Sequence, residues 1–156
     1  MSFQDLLDRF TRAVMDADIA SFEALFTEDG IYDDVFYGRF VGRAAIGQML
    51  KEHFHGNACR FLWDMHDPVL SANVGYAHYT FSYTSSMPHS DGVRAVFTGS
   101  AMFELREGLI AHYREWAYGL AGLSQLGTPE HIIARQADRE ATRILSEEAG
   151  RRHKTF

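Results

Sequence analysis

The sequence lacks the features that would place it in several broad protein classes. Its one cysteine, Cys59, cannot form an internal disulfide and fits a reducing compartment. No apolar run approaches the roughly 18 residues that a membrane span needs. The acidic, amphipathic start MSFQDLLDRF is unlike the basic and then apolar start of a signal peptide. These absences predict a cytoplasmic protein without membrane association.

An excess of positive charge is also missing. The formal net charge is −6, which gives no electrostatic basis for holding phosphates, so no nucleic-acid partner is expected. What the sequence does have is 156 residues, enough for one sizeable core, and an aromatic content of 13%. We expect a single domain over residues 1–149, followed by a basic tail at residues 150–156.

Hydrophobic periodicity predicts helices first and strands afterwards. Apolar residues recur at helical spacing behind Ser2 and Asp18, the expected N-caps of two helices, and again over residues 43–54. Thr128-Pro129-Glu130 begins a last helix, with Thr128 as its expected cap. In between, the period changes to two, and the turns are short enough to imply antiparallel neighbours. The predicted strands are residues 60–70, 74–86, 94–106 and 109–118. This order predicts an α+β fold, a cone-shaped barrel in which a curved, mostly antiparallel mixed sheet wraps around N-terminal helices.

The alternation along the strands indicates which side chains enter the cone. On the strand 74–86, Tyr79, Phe81 and Tyr83 share the apolar face. The matching face of the strand 94–106 carries Gly99 and Ala101 at its middle. Such small residues indicate either unfilled space or the close approach of another backbone.

The last strand has two possible inward faces. One face carries Tyr113 and Glu115, and the other carries Arg114, Trp116 and Tyr118. Alternation alone does not choose between them.

Two adjacent acids, Asp33 and Asp34, interrupt the apolar stretch GIYDDVFYG. Because neighbouring residues of a strand point to opposite faces, they cannot form the close carboxylate pair of a glycosidase or an aspartic protease. Asp34 is either a general base in an aromatic pocket or a structural carboxylate paired with Arg114 or a tyrosine hydroxyl. Asp33 is expected to face solvent or a turn and to be replaceable with little consequence.

Other kinds of catalytic site find no support in the motifs. The eight histidines form no HxxxH or HExxH pattern, so no metal site is predicted. There is no G-x-S-x-G elbow, no local signature around Cys59 and no glycine-rich phosphate loop, and no cofactor is expected.

Two stretches of the chain resemble a known superfamily. The stretch from LLDRF through ALFTEDGIYDD to GRAAIGQML resembles the nuclear transport factor 2-like superfamily. Arg114-Glu115-Trp116 running into LSQLG is similar to the SnoaL-like polyketide cyclases. The resemblance implies the α+β cone with an enclosed pocket. This fold hosts isomerases, cyclases, dehydratases, hydrolases and noncatalytic binders, so it does not name a reaction.

The resemblance also assigns residues, and here the chain departs from its relatives. Alignment with ketosteroid isomerases puts the general base on Asp34. The oxyanion-hole tyrosine of those enzymes falls on Phe10, and their second, protonated aspartate falls on Ala101. The catalytic aspartate of the cyclases falls near Tyr118. These departures argue against the usual isomerase mechanism and weaken the case for the cyclase chemistry.

We therefore expect a small-molecule enzyme that performs cofactor-free acid–base chemistry on a hydrophobic ring or carbonyl compound. The resemblance turns Arg114, Trp116 and Tyr118 inward. Asp34 is expected to act as the base, with Arg114 and Tyr118 stabilising negative charge. The predicted ligand-binding residues are Tyr32, Phe36, Phe61, Trp63, Tyr79, Phe81, Tyr83, Phe97, Ala101, Phe103 and Trp116.

The alternative is a noncatalytic module that binds a small ligand or serves assembly. The superfamily commonly forms homodimers through the open face of its sheet, and the resemblance implies the same here. The residues of that face are Thr80, Ser82, Thr98, Ser100 and Met102.

Overall fold

The computed structural model describes residues 2–155. The helices are α1 (Phe3–Met15), α2 (Ile19–Ala24), α3 (Arg43–Met49, continued by a π-helical turn at Leu50–Phe54), α4 (Gly119–Gln125), α5 (Glu130–Ser146) and α6 (Glu148–Lys154). The strands are β1 (Phe26–Asp34), β2 (Gly38–Val41), β3 (Ala58–Ser71), β4 (Val74–Ser85), β5 (Arg94–Arg106) and β6 (Leu109–Ala117). The four long strands lie within two residues of their predicted bounds.

Local side-chain bonds explain where the first two helices begin. Ser2 and Asp5 form a reciprocal capping box at the start of α1. The Asp18 carboxylate accepts a hydrogen bond from the Ser21 N–H at the start of α2. Both predicted caps are confirmed. At α5, however, the Thr128 hydroxyl has no hydrogen-bond partner within residues 2–155, so its predicted capping role is wrong.

The six strands form one mixed, open sheet in the order β2-β1-β6-β5-β4-β3. β1 runs parallel to β6, and the other neighbours are antiparallel. The N-terminal helices fill the concave side, which gives the predicted α+β cone.

Aromatic packing around Phe10 of α1 fills the narrow part of the cone. Its ring lies 5.1 Å from Tyr113, 5.5 Å from Phe103 and 5.3 Å from Trp63, measured between centroids. Tyr32 stacks on Tyr113 at 4.4 Å, and Tyr32, Ala101 and Phe103 are fully buried. The expectation that these last three residues line a ligand pocket is therefore wrong, because α1 supplies side chains large enough to close this end.

A β-bulge near the start of β6 determines which of its faces looks inward. Leu105 pairs with Ile110, but Glu104 pairs with His112, so Ala111 is an extra residue without a partner. An inserted residue reverses the faces of the rest of the strand. The inward orientation expected for Arg114, Trp116 and Tyr118 is wrong for this reason, and Glu115 and Ala117 face the cone instead.

The C-terminal part contains two helices that the sequence did not predict. The α4 helix has glycines at 119 and 122, which are poor helix formers, and a side chain at Gly122 would collide with the ring of Phe97. Residues 150–154 of the predicted basic tail belong to α6, which begins at Glu148, and Phe156 lies outside the described residues. No helix within residues 2–155 is long and apolar enough to cross a membrane.

Candidate functional site

A cavity of about 320 Å³ occupies the wide end of the cone, beyond the core around Phe10. The inner faces of β3 to β6 form its wall, and the π-helical turn and α4 border it. Seven residues predicted to bind ligand line it: Phe36, Phe61, Trp63, Tyr79, Phe81, Tyr83 and Phe97. The rings of Phe61, Phe81 and Tyr83 lie within 6 Å of one another. The wall is therefore mostly apolar and aromatic, as small-molecule sites commonly are.

Asp34 lies at this cavity, at the end of β1. Its carboxylate Oδ1 accepts hydrogen bonds from the backbone N–H groups of Phe36 (2.7 Å) and Tyr37 (2.8 Å) in the β1–β2 turn. Only 8% of the residue is exposed. Burial raises the pKa of Asp34 to about 6, although the two N–H donors and nearby His53 act in the opposite direction.

Asp33 points to the other face of the sheet, as predicted. Arg39 holds its carboxylate through two hydrogen bonds of 2.7 and 2.8 Å, and His112 Nε2 lies 2.6 Å from Oδ2. Burial alone would raise the pKa of Asp33, but the hydrogen bonds from Arg39 and His112 outweigh it and lower the pKa. The expectation of a solvent-facing, replaceable carboxylate is wrong, because partners from β2 and β6 enclose it.

Glu115 is the second carboxylic acid at the cavity. Its Oε2 accepts hydrogen bonds from the hydroxyls of Tyr79 (3.1 Å) and Tyr113 (3.0 Å), and its Oε1 accepts a longer one from Val35 N–H (3.4 Å). Burial, followed by the charge of Asp34, raises the pKa of Glu115 to about 8. Two acids, the buried Asp34 and the half-buried Glu115, thus line one cavity.

Gly99 makes room for one of the hydroxyls that hold Glu115. Gly99 pairs with Tyr79 across β4 and β5, and a Cβ at Gly99 would lie 2.6 Å from the Tyr79 hydroxyl oxygen. Of the two explanations for small residues here, close approach is the correct one for Gly99. The space is filled by Tyr79 and by the backbone of Trp116.

Cationic side chains do not border the cavity. Within the described chain, none of the residues that line it is a lysine or an arginine, although His53 and His89 are present. Trp63 also lines the cavity, and its indole Nε1 is buried without a hydrogen-bond partner within residues 2–155. The described residues contain no group of three or more metal-ligating side chains placed to bind an ion.

The three residues expected to turn inward on β6 line an adjoining cavity instead. This second cavity, of about 890 Å³, is bordered by α4, α5 and β6 and shares Asp34, Val35, Phe36, Glu115 and Ala117 with the aromatic cavity. There Arg114 donates to Glu147 at 2.5 Å and lies 5.5 Å from the centroid of the Trp116 ring. Tyr118 is 74% exposed. None of the three lines the aromatic cavity, so Arg114 is not placed to stabilise negative charge there.

Glu115 is the functional candidate that sequence reasoning missed. Alternation placed Glu115 on one of the two possible faces of β6 but could not choose that face. Its pairing with Ala101, which is clearly inward, would have decided the matter. The bulge at Ala111, which sets that pairing, has no distinct signal in the sequence.

Comparison with known families identifies one match. The model of the SnoaL-like domain family matches residues 7–113, which cover the cone as far as the middle of β6. No curated protein matches the chain in sequence.

Solved structures share the fold at low sequence identity. A protein with a ketosteroid isomerase-like fold from Catenulispora acidiphila, solved in complex with trimethylamine, has a TM-score of 0.73 and 14% identity, covering 82% of this chain and 96% of that one. A candidate polyketide cyclase from Xanthomonas campestris has a TM-score of 0.65 and 22% identity, covering 79% and 95%. An epoxide hydrolase of the LEH-like type from M. tuberculosis has a TM-score of 0.66 and 18% identity, covering 78% and 86%.

Proposed function

The chain belongs to the SnoaL-like domain family, and from that membership we propose that it is an enzyme of cofactor-free acid–base chemistry. Its substrate is proposed to be a hydrophobic ring or carbonyl compound held in the aromatic cavity. The similar structures described as a cyclase, an isomerase and an epoxide hydrolase agree with this class without choosing a reaction within it.

The observation that carries the proposal is the pair Asp34 and Glu115 at one cavity. Asp34 is buried and Glu115 is half-buried, yet the pKa of Glu115 is raised further than that of Asp34. Near neutral pH, Asp34 is then mainly ionised and Glu115 mainly protonated. Two acids with separated pKa values at one site are suited to act as base and acid.

The hydrogen bonds suggest which oxygen performs each role. Both bonds to Asp34 reach Oδ1, which leaves Oδ2 to accept a proton from the substrate. Both tyrosine hydroxyls reach Glu115 Oε2, so Oε1, with only the long bond from Val35, is the oxygen that carries the proton. Glu115 then donates to the substrate oxygen as charge develops there. Glu115 therefore replaces Arg114 in the role that sequence analysis gave to the arginine.

The size and charge of the cavity limit the substrate. About 320 Å³ is near the lower end of the range for ligand pockets, which favours a compact ring system. Among the described residues, two acids and no lysine or arginine border the aromatic cavity, so an uncharged substrate is favoured over a carboxylate or phosphate.

Proton abstraction can be tested without knowledge of the natural substrate. Small ring ketones, such as cyclohexanone and tetralone, are incubated with the protein in D₂O, and exchange at the carbon beside the carbonyl is followed by NMR. We expect the wild-type protein to accelerate exchange. Asp34→Asn should lower the exchange rate by a factor of about 10²–10⁴. Asp91→Asn is the matched control, because Asp91 is an exposed turn residue away from the pair.

The second candidate function is noncatalytic binding of a small ligand. It is favoured by the departures from the family's catalytic pattern at Phe10, Ala101 and Tyr118. Ketones that bind to the wild-type protein without any exchange would support this function over the enzyme. Exchange that persists unchanged in a folded Asp34→Asn variant would exclude Asp34 as the base.

We also propose that two copies of the chain associate through the outer face of the sheet. Large apolar side chains are exposed there, among them Leu62, Tyr76 and Val96, beside the predicted polar residues of that face. Light scattering should give twice the chain mass for the wild-type protein and for Val41→Glu, a control on β2 at the opposite edge of the sheet. Val96→Glu should give a monomer, and a wild-type monomer at high concentration would rule the dimer out.

A further inference from the structure

The turn that binds Asp34 is held from its other side by α5. Gln136 Nε2 donates to the carbonyl oxygen of Val35 at 3.0 Å, and Arg139 Nη2 donates to that of Phe36 at 3.3 Å. The N–H groups that bind Asp34 belong to Phe36 and Tyr37. Two consecutive peptide units therefore each accept a hydrogen bond from α5 and donate one to Asp34.

This arrangement connects α5 to Asp34 without direct contact. A hydrogen bond to a peptide oxygen polarises the amide and strengthens the bond that its N–H donates. The bond from Arg139 carries a full positive charge at the donor, which makes such bonds stronger than neutral ones. Both bonds thus favour the ionised form of Asp34, which accepts the two N–H groups.

Packing does not by itself account for the position of α5. None of its 17 residues is buried, and it lies after residues 7–113, the part that matches the family. Gln136 is half-buried and Arg139 is exposed, so both bonds end at a turn near the protein surface. The polar bonds to residues 35 and 36 are a specific attachment of this helix to the site.

We propose that Gln136 and Arg139 are positioning residues that orient and polarise the two peptide units that bind Asp34. The inference deepens the proposed function and depends on it for its relevance to catalysis. The hydrogen-bond geometry behind the inference is a property of the folded chain and does not depend on the proposed function.

Other ionisable groups surround Asp34. They are Tyr32 on β1, Tyr37 in the turn, His53 on the π-helical turn, Tyr79 and Tyr83 on β4, and Glu115 on β6. The larger cavity that Asp34 also borders adds Arg39, Arg114 and, from α5 and its C-terminal end, Glu140, Arg143 and Glu147. Substitution of Gln136 or Arg139 leaves all of these groups in place, so its effect on Asp34 is expected to pass through the two peptide units.

The test is the titration of Asp34 in the ligand-free protein, followed by NMR of its carboxyl carbon. Gln136→Leu and Arg139→Met keep most of the side-chain volume and remove the donors. Each should move the Asp34 midpoint upward by about 0.3 pH units, and by about one unit if a peptide N–H turns away. Arg139→Lys keeps a charged donor, so its Asp34 midpoint should lie close to the wild-type value.

The matched control is Arg135→Met, which removes the same charge from an exposed residue one turn away on α5. It should leave the midpoint unchanged. If α5 only covers the site, then detachment of the helix in the variants would hydrate Asp34. Hydration would move the Asp34 midpoint downward, opposite to the expected shift. A downward shift, or an unchanged midpoint in both variants, would overturn the inference.

The outcome separates this inference from the proposed function. An upward shift in the variants supports positioning even if Asp34→Asn retains full exchange activity, in which case the enzyme proposal fails alone. Unchanged midpoints, together with loss of exchange in Asp34→Asn, would leave the enzyme proposal in place and remove the positioning role.

Discussion

Glu115 lies directly opposite Ala101 on paired strands, and both side chains face the interior of the cone. Ala101 is the position where resemblance to the ketosteroid isomerases would place a protonated aspartate. The carboxyl that is absent from β5 is therefore present on the neighbouring strand, at the same height in the cone. With a regular ladder, Arg114 would have paired with Ala101, so the bulge at Ala111 decides which charge enters the site.

The first prediction concerns the hydroxyl of Tyr79. Its hydrogen bond to Glu115 lowers the pKa of that carboxyl, in opposition to burial. Tyr79→Phe should raise the Glu115 midpoint by about one pH unit, measured by carboxyl-carbon NMR. Tyr76→Phe, which removes a hydroxyl from the exposed outer face, should have no effect. A lower midpoint in Tyr79→Phe would contradict the hydrogen bond.

Sequence reasoning was most successful where the signal is local. The caps at Ser2 and Asp18 and the alternation along β4 depend on residues a few positions apart, and the structure confirms them. The opposite directions of Asp33 and Asp34 follow from strand geometry alone. Strand geometry separates the two aspartates, and the resemblance to ketosteroid isomerases selected Asp34 as the one at the cavity.

The missed features depend on residues far apart in the chain. Asp33 is enclosed because Arg39 and His112 arrive from other strands. The inward face of β6 depends on one inserted residue, and an alternating pattern fits either register equally well. The α4 helix forms because Gly122 fits against Phe97, which outweighs its poor helix propensity.

The second prediction is that the two adjacent aspartates affect stability with opposite signs. The pKa of Asp33 is lowered by folding, so its ionised form stabilises the protein above its ordinary pKa of 3.8. This contribution is lost as the pH falls through the lower folded-state pKa. Asp33→Asn should therefore cost about 1 kcal/mol at pH 7.5, or roughly 2–4 °C in Tm.

For Asp34 the sign is reversed. Its pKa rises to about 6 on folding, so ionisation disfavours the folded state, increasingly from pH 3.8 to about 6 and fully above that. Asp34→Asn should stabilise the protein by up to about 3 kcal/mol at pH 7.5 and change its stability little near pH 4. Thermal unfolding of both variants at the two pH values is the measurement. Destabilisation by Asp34→Asn at pH 7.5 would contradict a raised pKa.

The third prediction concerns the pH dependence of ketone exchange. The rate constant kcat/KM should rise through about pH 6, as Asp34 loses its proton, and fall through about pH 8, as Glu115 loses its own. In Glu115→Gln the upper limb should disappear, because glutamine cannot ionise, and the lower limb should remain. An upper limb that persists in this variant would show that a group other than Glu115 produces it.

The fourth prediction is that ligand charge decides affinity. Benzoate should bind at least about tenfold more weakly than benzaldehyde or cyclohexanone at pH 7.5, because an anion would join two acids in a cavity without lysine or arginine. Thermal shift and NMR titration measure this. Above about pH 8, where the wild-type Glu115 is ionised, Glu115→Gln should bind benzoate more tightly than the wild-type protein does, while the two proteins should bind cyclohexanone equally well. Tighter binding of benzoate by the wild-type protein would show that a cationic group outside the cavity wall, rather than the two acids, selects the ligand.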